Sequence, residues 1–168
     1  DVGRSRLSYL SKENPELFNV SISGQCGKST FSMSPLSEAD HHSFKYILYA
    51  EGNCFWADRL NKFIFGPSAI VKQETPCGQF WEPLLQPMTH YLPTDFFFSD
   101  TTDRIQWGNE HSEEVQNIVK NANEFAENYL SLSGIEAYVE VLLTEYTSLL
   151  TSKVIKVEKG AIEAPVEA

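Results

Sequence analysis

With 168 residues, 42% of them hydrophobic and 21% charged, the chain has the size and composition of one globular domain with its own core, not of a disordered or fibrous protein. A formal net charge of −10 argues against sequence-independent nucleic-acid binding, which sets lysine and arginine against phosphates, yet leaves room for one phosphorylated ligand held by one or two arginines. No apolar run approaches the roughly 20 residues that span a bilayer.

The start, Asp1-Val2-Gly3-Arg4, lacks signal-peptide anatomy and an initiator methionine, and reads as a processed or truncated end. Residues 4–12 predict a short helix, with Leu7 and Leu10 three apart, broken by Asn14-Pro15. Residues 18–22 alternate as a strand does. Asn19-Val20-Ser21 is a glycosylation sequon, meaningful only in the secretory route. The small, polar stretch from Ser23 to Asp40 reads as a long loop with a short helix near Pro35.

A repeating pattern follows. Phe44 to Ala50 is aromatic and β-branched, the mark of a buried strand, and Glu51-Gly52-Asn53 is its turn. Residues 55–65 carry Leu60, Phe63 and Ile64 at helical spacing, stopped by Gly66-Pro67. Ser68 to Gln73 predicts a second strand, Gln79 to Leu85 a short helix closed by Pro87, and Thr89 to Leu92 a third strand. Strand, helix, strand, helix, strand implies a parallel sheet with right-handed crossovers.

The last third is helical. Val115, Ile118, Val119, Ala122, Phe125, Ala126 and Tyr129 form one apolar stripe, with Ser112 as the expected N-cap. A second helix is expected from Ser133, with Ser133 and Glu136 in capping-box spacing. Its stripe is Ile135, Tyr138, Val139, Leu142, Tyr146 and Leu149, and both stripes are expected to be core. Beyond Lys153 the chain turns polar, and 154–168 reads as a flexible tail.

Parallel α/β sheets bind ligands beyond the carboxyl ends of their strands, here the turn after Ala50. Gly52 would let the backbone approach a ligand, and the next helix would aim its first amides into the same crevice. Arg59, expected about one turn into that helix, could fork onto a diphosphate; the plainer alternative is a surface arginine paired with an acid. Arg4 and Arg6 are the other arginines of interest, against the alternative of a solvated chain end. Cys26, Cys54 and Cys77 make no CxxC pair, and His41-His42 has no third ligand nearby in sequence, so no metal site is expected. Three cysteines permit one disulfide and a free thiol, or three thiols. His90 reads as a core or rim histidine.

Three segments resemble the protein O-glucosyltransferase family, the capsule-associated, lipopolysaccharide-modifying type of glycosyltransferase. They are Arg4 to Ser11 with Asn14-Pro15; Lys45-Tyr46 through Gly52, Arg59-Leu60, Gly66-Pro67-Ser68 and Val71-Lys72-Gln73; and Leu85-Gln86-Pro87 with His90-Tyr91-Leu92-Pro93. The closing helices agree through Glu124-Phe125-Ala126 and Leu143-Thr144-Glu145-Tyr146. The resemblance implies an α/β, Rossmann-like three-layer domain with a parallel sheet, one half of a GT-B glycosyltransferase, over 1–153. It implies that Arg59, helped by Arg4 or Arg6, holds the diphosphate of a UDP-sugar, UDP-glucose or UDP-xylose, with Gly52 lining the crevice. Inverting transfer to a hydroxyl of a protein or glycan acceptor would then use a carboxylate from an N-terminal half outside this chain, in the endoplasmic reticulum or Golgi lumen. The chain departs from the pattern at Ser5, Ala57 and Met88, where many members have an aspartate, a serine and an aromatic residue, and it ends without a retrieval signal. The alternative is a non-catalytic structural or accessory subunit of a larger assembly, built on a degenerate half-domain.

Overall fold

The computed structural model describes residues 2–20, 36–51, 58–76 and 78–150, the side chains of 2–4 and 38 excepted. Gly52, Ala57, the three cysteines, most of the Ser23–Asp40 segment and the 154–168 tail lie outside the described residues.

Helix α1 spans Val2–Glu13 and α2 spans Glu38–His41. Strands β1 (Tyr46–Tyr49), β2 (Ala69–Gln73) and β3 (Leu92–Thr94) form a parallel sheet in the order β1-β2-β3. Between them lie α3 (Arg59–Phe63) and a 3-10 turn at Glu82–Leu84. Three helices follow: α4 (Thr101–Glu110), α5 (Ser112–Tyr129) and α6 (Leu132–Leu149). The expected mixed α/β domain with a parallel sheet and two long closing helices is what is found. No strand forms at 18–20, where Phe18 instead plugs the core and Ser11 Oγ donates to its carbonyl at 2.9 Å.

The register explains the layering. Ile47 pairs with Ile70 and Tyr49 with Lys72, so these side chains share one sheet face; Leu48 pairs with Val71, and Val71 with Leu92, on the other. The first face packs against Leu60 and Phe63 of α3, Ile64 just beyond it, Trp81, and Phe125 and Ala126 of α5. The second packs against Phe18, Ile105 of α4 and Ile118 of α5, with Leu10 of α1 alongside. All five β2 residues are buried, as a central parallel strand covered on both faces requires.

Helix α4 leaves no apolar stripe in the sequence because its buried positions are Thr101, Ile105 and Gly108. Gly108 lets the helix lie against β1: a Cβ there would stand 2.7 Å from Tyr46 Oη. Thr101 Oγ1 lies 2.8 Å from Thr94 Oγ1, tying the helix start to the end of β3.

Three sequence expectations need correction at the closing helices. His111, not Ser112, occupies the N-cap of α5. The cap of α6 is Ser131, two residues earlier than expected, whose Oγ accepts from the Gly134 amide at 3.2 Å. The α6 stripe is not core: no α6 residue is buried, and Ile135, Tyr138, Val139, Leu142, Tyr146 and Leu149 are all exposed. Among the described residues α6 is attached through its first turns. Gly134 sits against the backbone of Asn128 and Tyr129, and Tyr138 stacks on Phe80 with ring centres 4.6 Å apart. Helical periodicity reports that a stripe needs covering, not that this chain covers it.

Candidate functional site at the carboxyl edge of the sheet

Each parallel strand delivers its next residues to the same edge. Beyond β1, the Ala50 carbonyl accepts a hydrogen bond from Arg59 Nη2 at 3.0 Å. Helix α3 begins at Arg59, rather than a turn earlier, so the side chain folds back over the end of β1. A guanidinium carries five N–H donors. This contact uses one of them, and none of the ion pairs among the described residues involves Arg59.

Gln73, the last residue of β2, braces the edge. Its Oε1 accepts from the Glu51 amide at 2.9 Å and its Nε2 donates to the Phe96 carbonyl at 2.7 Å. One side chain thus clamps the segment after β1 to the loop after β3. That loop is built around Asp95, whose carboxylate accepts from the Phe97 amide at 2.6 Å and from the Ser99 amide and hydroxyl. Burial works against the Asp95 charge, but the bonds from Ser99 and Phe97, with the positive field of Arg6, outweigh it and hold the carboxyl below its ordinary value. Phe98 is buried with φ 59°, a left-handed turn that leaves Phe96 and Phe97 exposed beside it, ring centres 5.2 Å apart.

Beneath the edge lies a buried polar floor. Lys72 and Glu82 face each other at 3.3 Å, with side chains 8% and 5% exposed. Glu82 Oε1 accepts from the Gln79 amide at 2.8 Å, while Oε2 has no aligned hydrogen bond and is met by the ammonium charge alone. Tyr49 donates to Glu51 and Tyr91 to Glu74, at 3.2 and 2.8 Å. Burial first, then the fields of Glu82 and Glu51, push the Tyr49 phenol well above its ordinary value; burial and the Glu74 bond do the same to Tyr91. Both phenols are therefore fixed neutral donors.

The structure thus sets Arg59 at the β1 side of the edge and Arg6, exposed on α1, within electrostatic reach of Asp95 at the β3 side. Arg4 lies in α1 with its side chain outside the described residues, as is the whole of Gly52. Gln73, Asp95 and the Phe96–Phe97 pair escape sequence reasoning. The one available signal was Asp95 four residues before Ser99, an Asx-type turn directly after a strand. His41 and His42 rest on the Phe63 ring, and His90 Nδ1 accepts from the Gln86 amide at 2.9 Å. Among the described residues no group of three His, Cys, Asp or Glu is placed to hold a metal. A depression of about 280 Å³ lies between Lys45, Ala69 and Val115, at the opposite, amino end of the strands, and no arginine lines it.

The family model described as Glycosyl transferase family 90 matches residues 1–167. Protein O-glucosyltransferase 3 of Homo sapiens is 28% identical over 155 residues, 89% of this chain and 30% of that protein. Protein O-glucosyltransferase 1 of Rattus norvegicus is 28% identical over 158 residues, 90% of this chain and 40% of the relative. For protein O-glucosyltransferase 2 of Danio rerio the figures are 29% over 114 residues, 68% and 23%. The chain spans between about a quarter and two-fifths of the length of these relatives.

Proposed function

Because the chain belongs to glycosyl transferase family 90, we propose that this glycosyltransferase-like domain is the donor-binding half of a two-half enzyme, with a UDP-sugar seated at the carboxyl edge of its sheet. The observation that carries the reading is the position of Arg59, anchored by one hydrogen bond to Ala50 and otherwise directed over the end of β1. Departure of a nucleoside diphosphate builds negative charge on its oxygens. A guanidinium held in place beforehand stabilises that charge without reorganising during the reaction. Arg6 adds positive potential from the β3 side, and the exposed Phe96–Phe97 pair offers aromatic faces on which a base can stack. The Gln73 brace and the neutral phenols make the edge rigid, so little order is lost on binding.

In this reading the catalytic carboxylate and most of the acceptor site come from an N-terminal half, which covers the crevice. The donor is UDP-glucose or UDP-xylose, and the acceptor hydroxyl, on a protein or glycan, attacks with inversion. The names of the relatives, protein O-glucosyltransferases, favour glucose and a protein acceptor. The setting is the lumen of the endoplasmic reticulum or Golgi; no helix among the described residues is long and apolar enough to cross a membrane.

Calorimetric titration with UDP-glucose and UDP-xylose tests the reading. Saturable binding of either is expected. No heat at millimolar ligand would overturn it and leave a structural subunit as the better account.

A further inference from the structure

We propose that Gln73 is a positioning residue for Arg59: it fixes the peptide that anchors the guanidinium, and so holds the guanidinium ready for the donor diphosphate. The inference rests on the UDP-sugar reading above and adds to it a residue that acts through another side chain. Arg59 Nη2 donates to the carbonyl of Ala50, and Gln73 Oε1 accepts from the amide of Glu51, at 3.0 and 2.9 Å. That carbonyl and that amide belong to one peptide unit. The unit is planar and trans, so its C=O and N–H point in opposite directions. Arg59 grips one edge of it and Gln73 the other. The tilt of this plane sets where the Ala50 oxygen points, and the guanidinium follows that oxygen. The unit lies just beyond the last β1–β2 pair, Tyr49 with Lys72, where strand pairing no longer fixes its tilt. A bond at the N–H also polarises the amide and makes its carbonyl a stronger acceptor for Arg59.

Gln73 can hold the peptide because its own orientation is determined. Its Nε2 donates to the Phe96 carbonyl at 2.7 Å. A backbone carbonyl only accepts and a backbone amide only donates, so one orientation of the carboxamide satisfies both partners and the flipped one satisfies neither. The residue is 5% exposed, and a lost bond there leaves a buried backbone group unpaired. Glu51 is held a second time through its carboxylate, which accepts from the Tyr49 hydroxyl at 3.2 Å. A glutamate at position 73 would set a carboxylate oxygen against the Phe96 carbonyl, and an asparagine is one methylene short of reaching both partners.

The test uses the 168-residue chain, labelled with nitrogen-15 for magnetic resonance, and two variants. Gln73→Asn keeps the amide and loses its reach; Gln73→Met keeps the length and loses both bonds. Circular dichroism melts identify which variants are folded at the titration temperature. The heteronuclear NOE of the Arg59 Nε–H group falls as the side chain gains picosecond-to-nanosecond freedom, and it should drop in the variants. That of Arg104, paired with Asp100, should stay as in the parent. Calorimetry should show UDP binding the variants about 3- to 10-fold more weakly, the scale of ordering one long side chain on binding. In the Arg59→Ala background, Gln73→Asn should add less than about twofold to the loss, since both changes remove the same interaction. An Arg59 NOE equal to the parent's, an undiminished effect of Gln73→Asn in the Arg59→Ala background, or parent-like UDP affinity in the variants would each overturn the positioning role and leave the donor reading intact. Failure of the parent itself to bind UDP would instead overturn the donor reading on which the proposal rests.

Discussion

Replacing Lys72 with methionine would strip the ammonium from Glu82 while keeping most of the buried volume. The two groups lie 3.3 Å apart with side chains 8% and 5% exposed, so water cannot take the lysine's place without opening the core. Removing one partner of a buried pair costs about 3–5 kcal/mol, because the other charge is left uncompensated. Lost packing of the Lys72 stem and of its ammonium against the Tyr91 ring, 5.4 Å away, adds a smaller part. Urea unfolding of parent, Lys72→Met, Glu82→Gln and the double variant near pH 7 reads these quantities. The double variant should recover most of the loss, because the amide oxygen that replaces the Glu82 carboxylate can still accept from the Gln79 amide. A Lys72→Met cost below about 1 kcal/mol, or no recovery in the double variant, would refute the reasoning.

Gly108→Ala should cost about 1–3 kcal/mol by thermal melting, because the added methyl meets Tyr46 Oη at 2.7 Å and pushes α4 off β1. Asp100→Asn should cost about 1–2 kcal/mol near neutral pH, since the Asp100 carboxylate accepts from Thr94 Oγ1 and the Asp95 amide at 2.7 and 2.9 Å. Burial opposes the Asp100 charge, yet the Asp95 amide, Thr94 and Arg104 hold the carboxyl below its ordinary value. Its contribution is therefore present above about pH 4 and lost as pH falls through the lower folded value, and an acid titration of Asp100→Asn should lack that part of the loss. Burial lowers His90, so the neutral ring favours folding above about pH 6.5 and stability declines as pH falls below that. His90→Asn, with an amide oxygen in place of Nδ1, should flatten the limb between about pH 5 and 6.5.

Local signals carried β1, β2 and most of α5, whereas β3, expected at Thr89 to Leu92, runs Leu92–Thr94, because residues 88–90 turn before the chain enters the sheet. The Ala69-Ile70-Val71 run behind Gly66-Pro67 reads as a buried strand, and β2 is buried throughout. In α5 the apolar residues Val115, Ile118, Ala122, Phe125 and Ala126 face the core as their spacing demands, while Val119 is half-buried and Tyr129, expected in the same stripe, is exposed. Helix α4 was hidden because a threonine and a glycine take two of its buried positions, where close approach, not apolar area, is the requirement. The α6 cap slipped by two residues because Ser131 and Ser133 both stand at the helix start, and the α5 cap by one because His111 precedes Ser112 there without a side-chain cap bond. At the carboxyl edge, Arg59 was legible because strand, turn and helix are consecutive in sequence. The Gln73 brace was not, since its partners at Glu51 and Phe96 stand on separate segments joined only by the register. The α6 stripe was visible and its exposure was not, because periodicity is local and cover is not.

Calorimetric titration of UDP and of uridine into the chain and into Arg59→Ala tests the diphosphate role of Arg59 most directly. UDP should lose about 1.5–3 kcal/mol on substitution, roughly 10- to 150-fold in Kd, the scale of a charged hydrogen bond. Uridine, which has no diphosphate, should bind both proteins alike. Equal UDP affinity in parent and variant, or an equal loss for UDP and uridine, would contradict the placement of the diphosphate at Arg59.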